Sequence, residues 1–515
     1  MPYRNLGNKA HTYIHLSSIC GIAIGLPLNK VVLSISLMIG ILNLIVEANF
    51  RTYWNNLKEA KITWLISSFW LLHVVGLLWT SEMNFGLSDI RIKLPLIVIP
   101  LILTCKPITE RKEINYIFLS FIGSLIFTSF YNYLSYIGII HDYKYNDIRG
   151  LSLFGSHIRY GILIAIGAML SLYLFFSQQK IKWLFAMLFA WFAFYTFYSQ
   201  IISGALAFGI GVIAYLLFYI YQYKRQLFIL SSLILVLLPT FVLVYMYQSK
   251  ETKPAKLDLA ALDQTTKKGN AYVHSTLGSQ HPNGQYIFVN LCEVELREEW
   301  NNVSTFDYDG KDKKGQILRY TLMRYMTSMG LKKDAHDFKQ LQQSDILNIE
   351  NGNADINDTK SGILARVSGI RFQIQNNIDP NGHSLLQRIE YWKTGWQIVK
   401  TNWLIGVGTG DTQVAFDKQY DRDNSPLVKE NRLRAHNTYL TVWITFGIIG
   451  IGLFVWLIAF YLKTSLLLNH PLAFVFILIA CSTFLIEDTL ETQTGVTLFA
   501  FFYALLSVKI NPYRS

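Results

Sequence analysis

Long apolar segments recur along the chain, and short polar connections separate most of them. A helix of about 20 apolar residues is long enough to cross a lipid bilayer. Twelve segments approach this length, at residues 12–28, 31–48, 63–80, 92–105, 114–138, 157–177, 181–200, 203–221, 226–247, 438–462, 471–487 and 494–509. The pattern predicts an all-α polytopic membrane bundle of about 12 transmembrane helices.

A long polar insert at residues 248–436 separates the ninth and tenth apolar segments. The chain therefore divides into helices 1–9 (residues 1–247), the insert, and helices 10–12 (residues 437–515). The insert shows patterns of both secondary structures, so a mixed α/β domain is predicted. We expect a strand at Tyr286–Cys292, helices at Glu293–Trp300, Gln316–Met329 and 385–400, and a loop at Ser344–Lys360.

The distribution of charged residues decides how the net charge is interpreted. The chain is 52% hydrophobic and 16% charged, with a net charge of +12 at pH 7. The insert holds 25 of the 46 Lys and Arg residues and 23 of the 34 Asp and Glu residues, so most of the positive excess lies beside apolar segments. Membrane topology and anionic lipids explain such an excess, and no nucleic-acid partner is expected. The composition also excludes a disordered chain, and Cys292, alone in the insert, cannot form a disulfide there.

The basic residues also predict the orientation in the membrane. With both termini inside, fifteen basic residues fall in the inner loops and six in the short outer segments. Inner loops are normally the ones enriched in Lys and Arg. The insert is therefore predicted to face the outside, which is the periplasm for a bacterial inner membrane.

Seven basic residues are predicted to lie at the outer surface. Guanidinium groups suit a phosphate there, because each offers a planar fork of hydrogen-bond donors. The alternative is that each contacts lipid headgroups or pairs with Asp89, Asp147 or Glu390. The seven residues are Arg91, Lys93, Arg149, Arg159, Arg388, Arg432 and Arg434.

A second candidate lies where the insert meets the tenth apolar segment, in the run Arg434-Ala435-His436-Asn437-Thr438-Tyr439-Leu440. His436 can accept a proton near neutral pH, and Asn437 and Tyr439 are polar groups beside it. For His436 alone, a hydrogen-bonding role at the membrane interface is the alternative.

Other motifs favour a structural role. Asp307-Tyr308-Asp309 lies in a turn-rich loop without the spacing of a calcium site, so no metal is expected there. The Gly406–Gly410 turn lacks the Lys-Ser/Thr of a P-loop, and a tight turn is favoured over a backbone nest for phosphate. His73 is predicted to be a hydrogen-bonding residue inside the bundle. A solvated helix end, with binding to arginines or acceptor as the alternative, is predicted for Glu487, Asp488 and Glu491.

The region from Arg388 to Gly447 resembles the signature of the O-antigen ligase and polymerase superfamily. The shared features are an Arg, a Tyr-Trp pair and a G-x-G-x-G-D turn within Arg388–Asp411, the run Arg434–Leu440, and Phe446-Gly447. The resemblance implies a GT-C-like bundle that takes a glycan from a polyprenyl diphosphate on the outer face of the inner membrane. It also implies that no metal or cofactor is needed.

The resemblance further assigns roles to single residues. His436 takes the place of the family's essential His, and Arg388 that of its essential loop Arg. The family also has an Arg after the seventh span, in a Ser-Arg-Gly context, but here Ser203-Gly204 has none between them. Either Arg159, Arg91 or another cation substitutes, or the donor is held differently, or the chain is less active. Binding of the diphosphate or the acceptor is assigned to Arg434, Arg432, Arg159, Arg91, Asn437 and Tyr439.

The resemblance thus implies a metal-independent, inverting glycosyltransferase of the ligase type, with the lipid A core as acceptor. A repeat-unit polymerase and a protein O-glycosyltransferase are alternatives within the superfamily. A transporter of lipid-linked sugars and a binding protein with a degenerate site are alternatives from other classes. Transport is less favoured, because no internal repeat is visible and the ionisable residues cluster at the segment ends.

Overall fold

The computed structural model describes residues 2–140, 152–178, 180–224, 226, 257–276, 281, 285–313, 315–356, 380–381 and 384–507. The chain divides into two compact units, one formed by Met1–Ser232 with Pro380–Ser515 and the other by Leu233–Asp379. The predicted insert of 248–436 is therefore shared between the units, because its last part, which includes the signature helix, packs with the helical bundle.

The first unit is a helical bundle. Its first ten helices are α1 (Pro2–Leu28), α2 (Lys30–Glu47), α3 (Phe50–Glu59), α4 (Lys61–Val75), α5 (Met83–Lys93), α6 (Pro95–Cys105), α7 (Arg111–Tyr136), α8 (His157–Ser177), α9 (Lys182–Tyr198) and α10 (Ile202–Tyr223). Eleven of the twelve predicted apolar segments coincide with helices, counting those of the C-terminal part given below. The ninth predicted segment lies outside the described residues from position 227 onwards.

Six helical segments are long and apolar enough to cross a membrane, among the residues that the structure describes. Their apolar side chains face outward as well as inward; on α2, for example, Val31, Ile35, Met38 and Leu42 are all exposed. This surface suits a lipid environment rather than water. The six segments are Lys30–Glu47, Lys61–Trp79, Arg111–Tyr136, His157–Ser177, Ile202–Tyr223 and Thr438–Leu467. The fold is thus consistent with a polytopic helical bundle, while the number of twelve spans stays a prediction.

Helices α8 and α10 approach each other closely near their N-terminal ends. A Cβ atom added to Gly161 of α8 would lie 3.0 Å from the Cα of Gly204 of α10, and the reverse distance is the same. Only residues without a side chain allow two backbones to pack at this distance. The contact brings the first turn of α8, which carries Arg159, beside the first turn of α10.

The C-terminal part of this unit comprises five helices, which carry the signature residues. They are α15 (Ser384–Thr401), α16 (Thr412–Arg422), α17 (Thr438–Leu467), α18 (Pro471–Ile486) and α19 (Gln493–Leu505). The numbers α11–α14 belong to the second unit. Helix α15 confirms the predicted amphipathic helix at 385–400.

Helix α17 is interrupted at Gly447, where φ is +62° and ψ is −153°. The glycine-rich turn occupies the interruption: the amides of Val407 and Gly408 donate to the carbonyls of Ile444 (2.9 Å) and Thr445 (3.0 Å). A Cβ at Gly447 would lie 2.2 Å from the carbonyl oxygen of Leu404, so a glycine is required here. The Phe446-Gly447 pair is therefore the point at which the turn packs against α17.

The second unit has its own apolar core around Trp300, Tyr308 and Tyr325. Its helices are α11 (Glu293–Val303), α12 (Leu318–Ser328), α13 (Ala335–Phe338) and α14 (Gln343–Glu350). Helices α11 and α12 confirm two of the predicted helices.

Two other predictions for the second unit are wrong. The stretch 286–292 forms turns and isolated β-bridges instead of a strand, because Asn290 has a left-handed φ of +52°. The predicted loop at Ser344–Lys360 is wrong in its first part: Gln343–Glu350 is a helix, because a capping box of Gln342 and Asp345 starts it and Ile346 and Ile349 anchor it in the core. Residues 351–355 do form a loop, and residues 357–360 lie outside the described part of the chain. The described residues contain isolated β-bridges but no sheet, so the predicted mixed α/β character is not observed in them.

Candidate functional site

A cluster of one carboxylate and three basic side chains forms the candidate site, and we call it the Glu487 cluster. Glu487 follows the last residue of α18. Its Oε1 atom lies 3.8 Å from Nη2 of Arg159, and its Oε2 atom lies 3.7 Å both from Nη2 of Arg388 and from Nδ1 of His436. The four residues come from α8, α15, the segment before α17 and the α18–α19 connection, so only the fold brings them together.

The Glu487 cluster holds polar atoms that are buried without a partner. In the described part of the chain, Oε2 of Glu487, Nδ1 of His436 and Nε of Arg159 are all buried and lack a hydrogen bond. Buried polar groups are normally hydrogen-bonded, and a group left unpaired costs about 1–3 kcal/mol. Three such atoms in one cluster indicate a place that a polar ligand completes.

The charges of the cluster favour an anion. Two guanidinium groups, of Arg159 and Arg388, face the single carboxylate of Glu487, so these side chains carry a positive surplus before any proton on His436 is counted. The neighbouring Asp488 carboxylate is occupied by two backbone amides and the hydroxyl of Thr441. Arg159 also sits in the first turn of α8, where the helix dipole adds positive potential. Burial alone would raise the pKa of the Glu487 carboxyl, but the nearby His436, Arg388 and Arg159 outweigh it and hold this pKa below its ordinary value.

The backbone of His436 is fixed by a second carboxylate. His436 has a left-handed φ of +46°, which is uncommon for a residue with a side chain. The Asp488 carboxylate accepts hydrogen bonds from the amides of His436 (2.9 Å) and Asn437 (3.1 Å) and from the hydroxyl of Thr441 (2.7 Å). These bonds hold the strained residue in place, and the ring of Tyr391 lies beside the imidazole with 5.7 Å between the centroids.

A neighbouring group of four charged residues is balanced. Arg434 donates to Glu491 (2.7 Å), Glu491 accepts from Lys93 (2.9 Å), and Lys93 also contacts Asp89 (2.5 Å). Burial would raise the pKa of Glu491, but Lys93 and Arg434 outweigh burial and lower it. Two cations match two carboxylates here, so this group joins α5 to the segments before α17 and α19 and leaves no charge over for a ligand.

The remaining predicted site residues have other positions. Arg432 is held by Asp421 (2.5 Å) and by the carbonyl of Leu427 (3.0 Å). The side chain of Asn437 caps α17 at the amide of Leu440 (3.0 Å) and also donates to the carbonyl of Leu485 (3.1 Å). Tyr439 donates to the carbonyl of Cys481 (3.2 Å). Arg91 is exposed on α5, and Arg149 lies outside the described residues.

The weaker motifs are explained by the structure. The amides of the Gly406–Gly410 turn bond α17 and the carbonyl of Gly76, so the turn packs against protein, as predicted. The Asp411 carboxylate accepts from the amides of Ser81 (2.9 Å) and Glu82 (2.8 Å). His73 is buried and its Nδ1 lies 2.8 Å from the carbonyl of Phe69, which confirms its predicted interior role.

Potential metal ligands in the second unit are engaged with protein groups. Asp309 pairs with Arg297 (3.1 Å) and Arg319 (3.2 Å). Among the described residues, one other group could hold a metal ion, formed by Asp334, His336 and Asp337. The Nζ atom of Lys267 lies 2.8 Å from Nε2 of His336, where it would repel a metal cation.

Sequence reasoning underestimated the acidic residues after α18. A solvated helix end was expected, but Glu487 and Asp488 are buried, at 5% and 8% exposure, and Glu491 contacts two cations. The available signal was their position: three carboxylates lie next to apolar helices, on the same predicted side as Arg159, Arg388 and Arg434. The alternative of pairing with the arginines is the one observed.

The helical bundle and its cation cluster define a polytopic membrane protein with a candidate site for an anionic ligand. Residues 360–455 match the family model described as O-Antigen ligase, which confirms the predicted resemblance of this region to the O-antigen ligase superfamily. The matched region contains Arg388 and His436, whereas Arg159 and Glu487 lie outside it. No curated protein matches the chain.

Proposed function

We propose that the chain transfers a glycan from a polyprenyl diphosphate to a hydroxyl acceptor on the outer face of the bacterial inner membrane, with the lipid A core as the acceptor. The observation that carries this proposal is the Glu487 cluster, where two guanidinium groups and one carboxylate lie with the imidazole of His436, and where three buried polar atoms, one of them Nδ1 of the imidazole, lack a hydrogen bond. A diphosphate supplies negative charge and acceptor oxygens for the two guanidinium groups.

The reaction we propose is a direct displacement. The acceptor hydroxyl attacks the anomeric carbon, the bond from this carbon to the diphosphate oxygen breaks, and the configuration at the carbon inverts. The diphosphate leaves with the electron pair, and Arg388 and Arg159 stabilise its growing charge. His436 accepts the hydroxyl proton. In this scheme the two guanidinium groups do what a metal ion does in other transferases.

Arg159 is our candidate for the cation that the family signature lacks at Ser203-Gly204. The close contact of Gly161 with Gly204 places the first turn of α8 beside the start of α10. A cation on residue 159 thus approaches the region that a cation next to residue 203 would occupy. Its Nη2 atom lies 3.8 Å from Glu487, in the same cluster as Arg388. Arg91, the other candidate, is exposed on α5.

The acceptor decides between the ligase and the two other activities of the superfamily. Purified full-length chain is incubated with a polyprenyl-diphosphate-linked glycan and with lipid A core, free repeat unit or a Ser/Thr peptide. We expect the lipid A core to gain the mass of the glycan. Mass gain by the repeat unit or by the peptide instead would establish a polymerase or a protein O-glycosyltransferase.

The same assay tests the site. We expect Arg388→Ala, Arg159→Ala and His436→Ala each to lower the transfer rate by about 10²–10³. Arg422→Ala is the matched control, because Arg422 ends α16 with an exposed side chain. Transfer that persists undiminished in both Arg388→Ala and His436→Ala would refute the site assignment, and absence of transfer to every acceptor would refute the activity.

A further inference from the structure

We propose that Glu487 is a positioning residue that holds the imidazole of His436 through its Nδ1 atom, so that the Nε2 atom takes the proton of the acceptor hydroxyl. This inference rests on the proposed function and adds a residue that lies outside the matched family region. Three observations support it: the positions of Oε2 of Glu487 and Nδ1 of His436, the hydrogen bonds that fix the His436 backbone, and the contacts of Glu487 with two arginines.

The first observation is that two unpaired atoms face each other. Oε2 of Glu487 and Nδ1 of His436 are both buried without a hydrogen bond among the described residues, and they lie 3.7 Å apart. A hydrogen bond between a charged acceptor and an N–H donor has a length of about 2.8 Å. A shift of roughly 1 Å would therefore satisfy both atoms at once.

The second observation is that the His436 backbone cannot supply this shift. Asp488 binds the amides of His436 and Asn437, and the ring of Tyr391 lies against the imidazole. The movement has to come from the side chains, and the Glu487 side chain can rotate toward the ring.

The third observation is that the arginines compete for the same carboxylate. Oε2 of Glu487 is 3.7 Å from Arg388 as well as from His436, and Oε1 is 3.8 Å from Arg159. A diphosphate bound by the two guanidinium groups would compete with Glu487 for them and release Oε2 to accept the hydrogen bond from Nδ1. Donor binding would thereby prepare the base for the acceptor.

Charged groups reach His436 from several elements, and each contributes to its environment. Glu487 and Asp488 come from the α18–α19 connection, Arg388 from α15 and Arg159 from α8. Beyond them lies the balanced pair of Arg434 and Glu491. Glu487 is the carboxylate whose oxygen faces the imidazole ring itself, whereas Asp488 binds the backbone.

The proton balance of the proposed step is complete within the site. The O–H bond of the acceptor breaks as its oxygen bonds to the anomeric carbon, and the proton moves to Nε2 of His436. The diphosphate leaves with the electrons of the broken carbon–oxygen bond. The imidazolium that forms is stabilised by the Glu487 carboxylate, which itself stays ionised, as in other pairs of a histidine and an acid.

The test compares Glu487→Gln with wild type and with the control Glu430→Gln. Glu430 is exposed in the segment before His436. A nearby carboxylate stabilises the protonated imidazole, so its removal favours the neutral form. Because transfer needs the neutral imidazole, we expect the rising limb of the kcat–pH profile to move down by about one pH unit in Glu487→Gln. We expect kcat at the optimum to fall by about 10²-fold or more, in the direction seen when a histidine loses its orienting acid. The KM of the donor should fall, because Glu487 no longer competes with the diphosphate for the two arginines.

A measurement without substrate separates this inference from the proposed function. Diethylpyrocarbonate modifies accessible imidazoles, and 31% of the His436 side chain is exposed. Mass spectrometry of the peptide that contains His436 gives the rate of its modification at each pH. We expect the modification curve of Glu487→Gln to shift to lower pH and that of Glu430→Gln to match wild type. This result would stand even if no transfer activity were found.

Two outcomes would overturn the inference. Identical modification curves for wild type and Glu487→Gln would show that Glu487 does not act on His436. An unmoved pH profile together with a changed donor KM would show that Glu487 acts only on the arginines. If Glu487→Gln fails to fold, Glu487→Asp replaces it: the retained but shorter carboxylate is expected to give a smaller shift in the same direction, and no shift would refute the proposal.

Discussion

The interruption of α17 at Gly447 offers a test of how the signature segment is held together. In Gly447→Ala the new Cβ would lie 2.2 Å from the carbonyl oxygen of Leu404 and 2.5 Å from the amide nitrogen of Ile405. Both atoms are backbone, so they cannot move aside as a flexible side chain would. The backbone angles of +62° and −153° are also open only to glycine.

The size of the effect follows from these contacts. Forcing a residue with a side chain into such a conformation costs about 1–3 kcal/mol. Relief of the clash would separate α17 from the glycine-rich turn, and three backbone hydrogen bonds join these two segments, donated by Val407, Gly408 and Ile448. Each contributes about 1 kcal/mol. We expect Gly447→Ala to lower the free energy of unfolding by roughly 4–6 kcal/mol.

Gly452→Ala is the matched control, because it lies in the same helix and a Cβ there would meet no atom within 4 Å. We expect this variant to be neutral or more stable by up to about 1 kcal/mol, since alanine is the better helix former. Unfolding of both purified variants in detergent, followed by tryptophan fluorescence, gives the comparison. Equal stabilities of the two variants would refute the argument that Gly447 is the docking point of the turn.

Three further predictions follow from the site. First, the pKa of Glu487 in the folded chain lies below the ordinary value of 4.5. The stability contributed by its ionised form is therefore fully present above pH 4.5 and is lost as the pH falls toward the folded pKa. The difference in thermal midpoint between wild type and Glu487→Gln should shrink below pH 4.5. Second, Thr441→Val removes a hydroxyl that donates to Asp488 at 2.7 Å and should lower the free energy of unfolding by about 1.5–3 kcal/mol in the same detergent assay, whereas Thr441→Ser keeps the bond and should change it little. Third, glycan transfer should persist in EDTA, and complete loss of activity that magnesium or manganese restores would show that a metal is required.

The sequence predicts the helices well because the length and apolar composition of a segment determine whether it leaves water, and both can be read from that segment alone. Segments such as 157–177 and 203–221 have the apolar length of a span, and helices α8 and α10 occupy them almost to the residue. The amphipathic pattern at 385–400 gives α15 for the same reason. Short polar stretches are less certain, and the capped helix α14 replaces a predicted loop.

The chemistry of the site depends on contacts between distant parts of the chain. The sequence singles out Arg388 and His436 by their motif, and it names Arg159 as one of several cations. Arg159 joins them only because α8 packs against α10 and the α18–α19 connection packs against α15. The fold also decides that Glu491 neutralises Arg434 and that Asp421 holds Arg432 away from the cluster.

The sequence by itself determined the membrane class, most of the helices and the family signature, because apolar length and local motifs depend only on residues that are close together in the chain. The tertiary structure alone decided which cations are free for a ligand. Charge is left over for a ligand only where more cations than carboxylates lie within a few ångströms of one another, and those distances are set by the fold. Glu487 shows the difference most clearly: in the sequence it is one acid at a helix end, and in the folded chain it lies within 4 Å of an imidazole and two guanidinium groups.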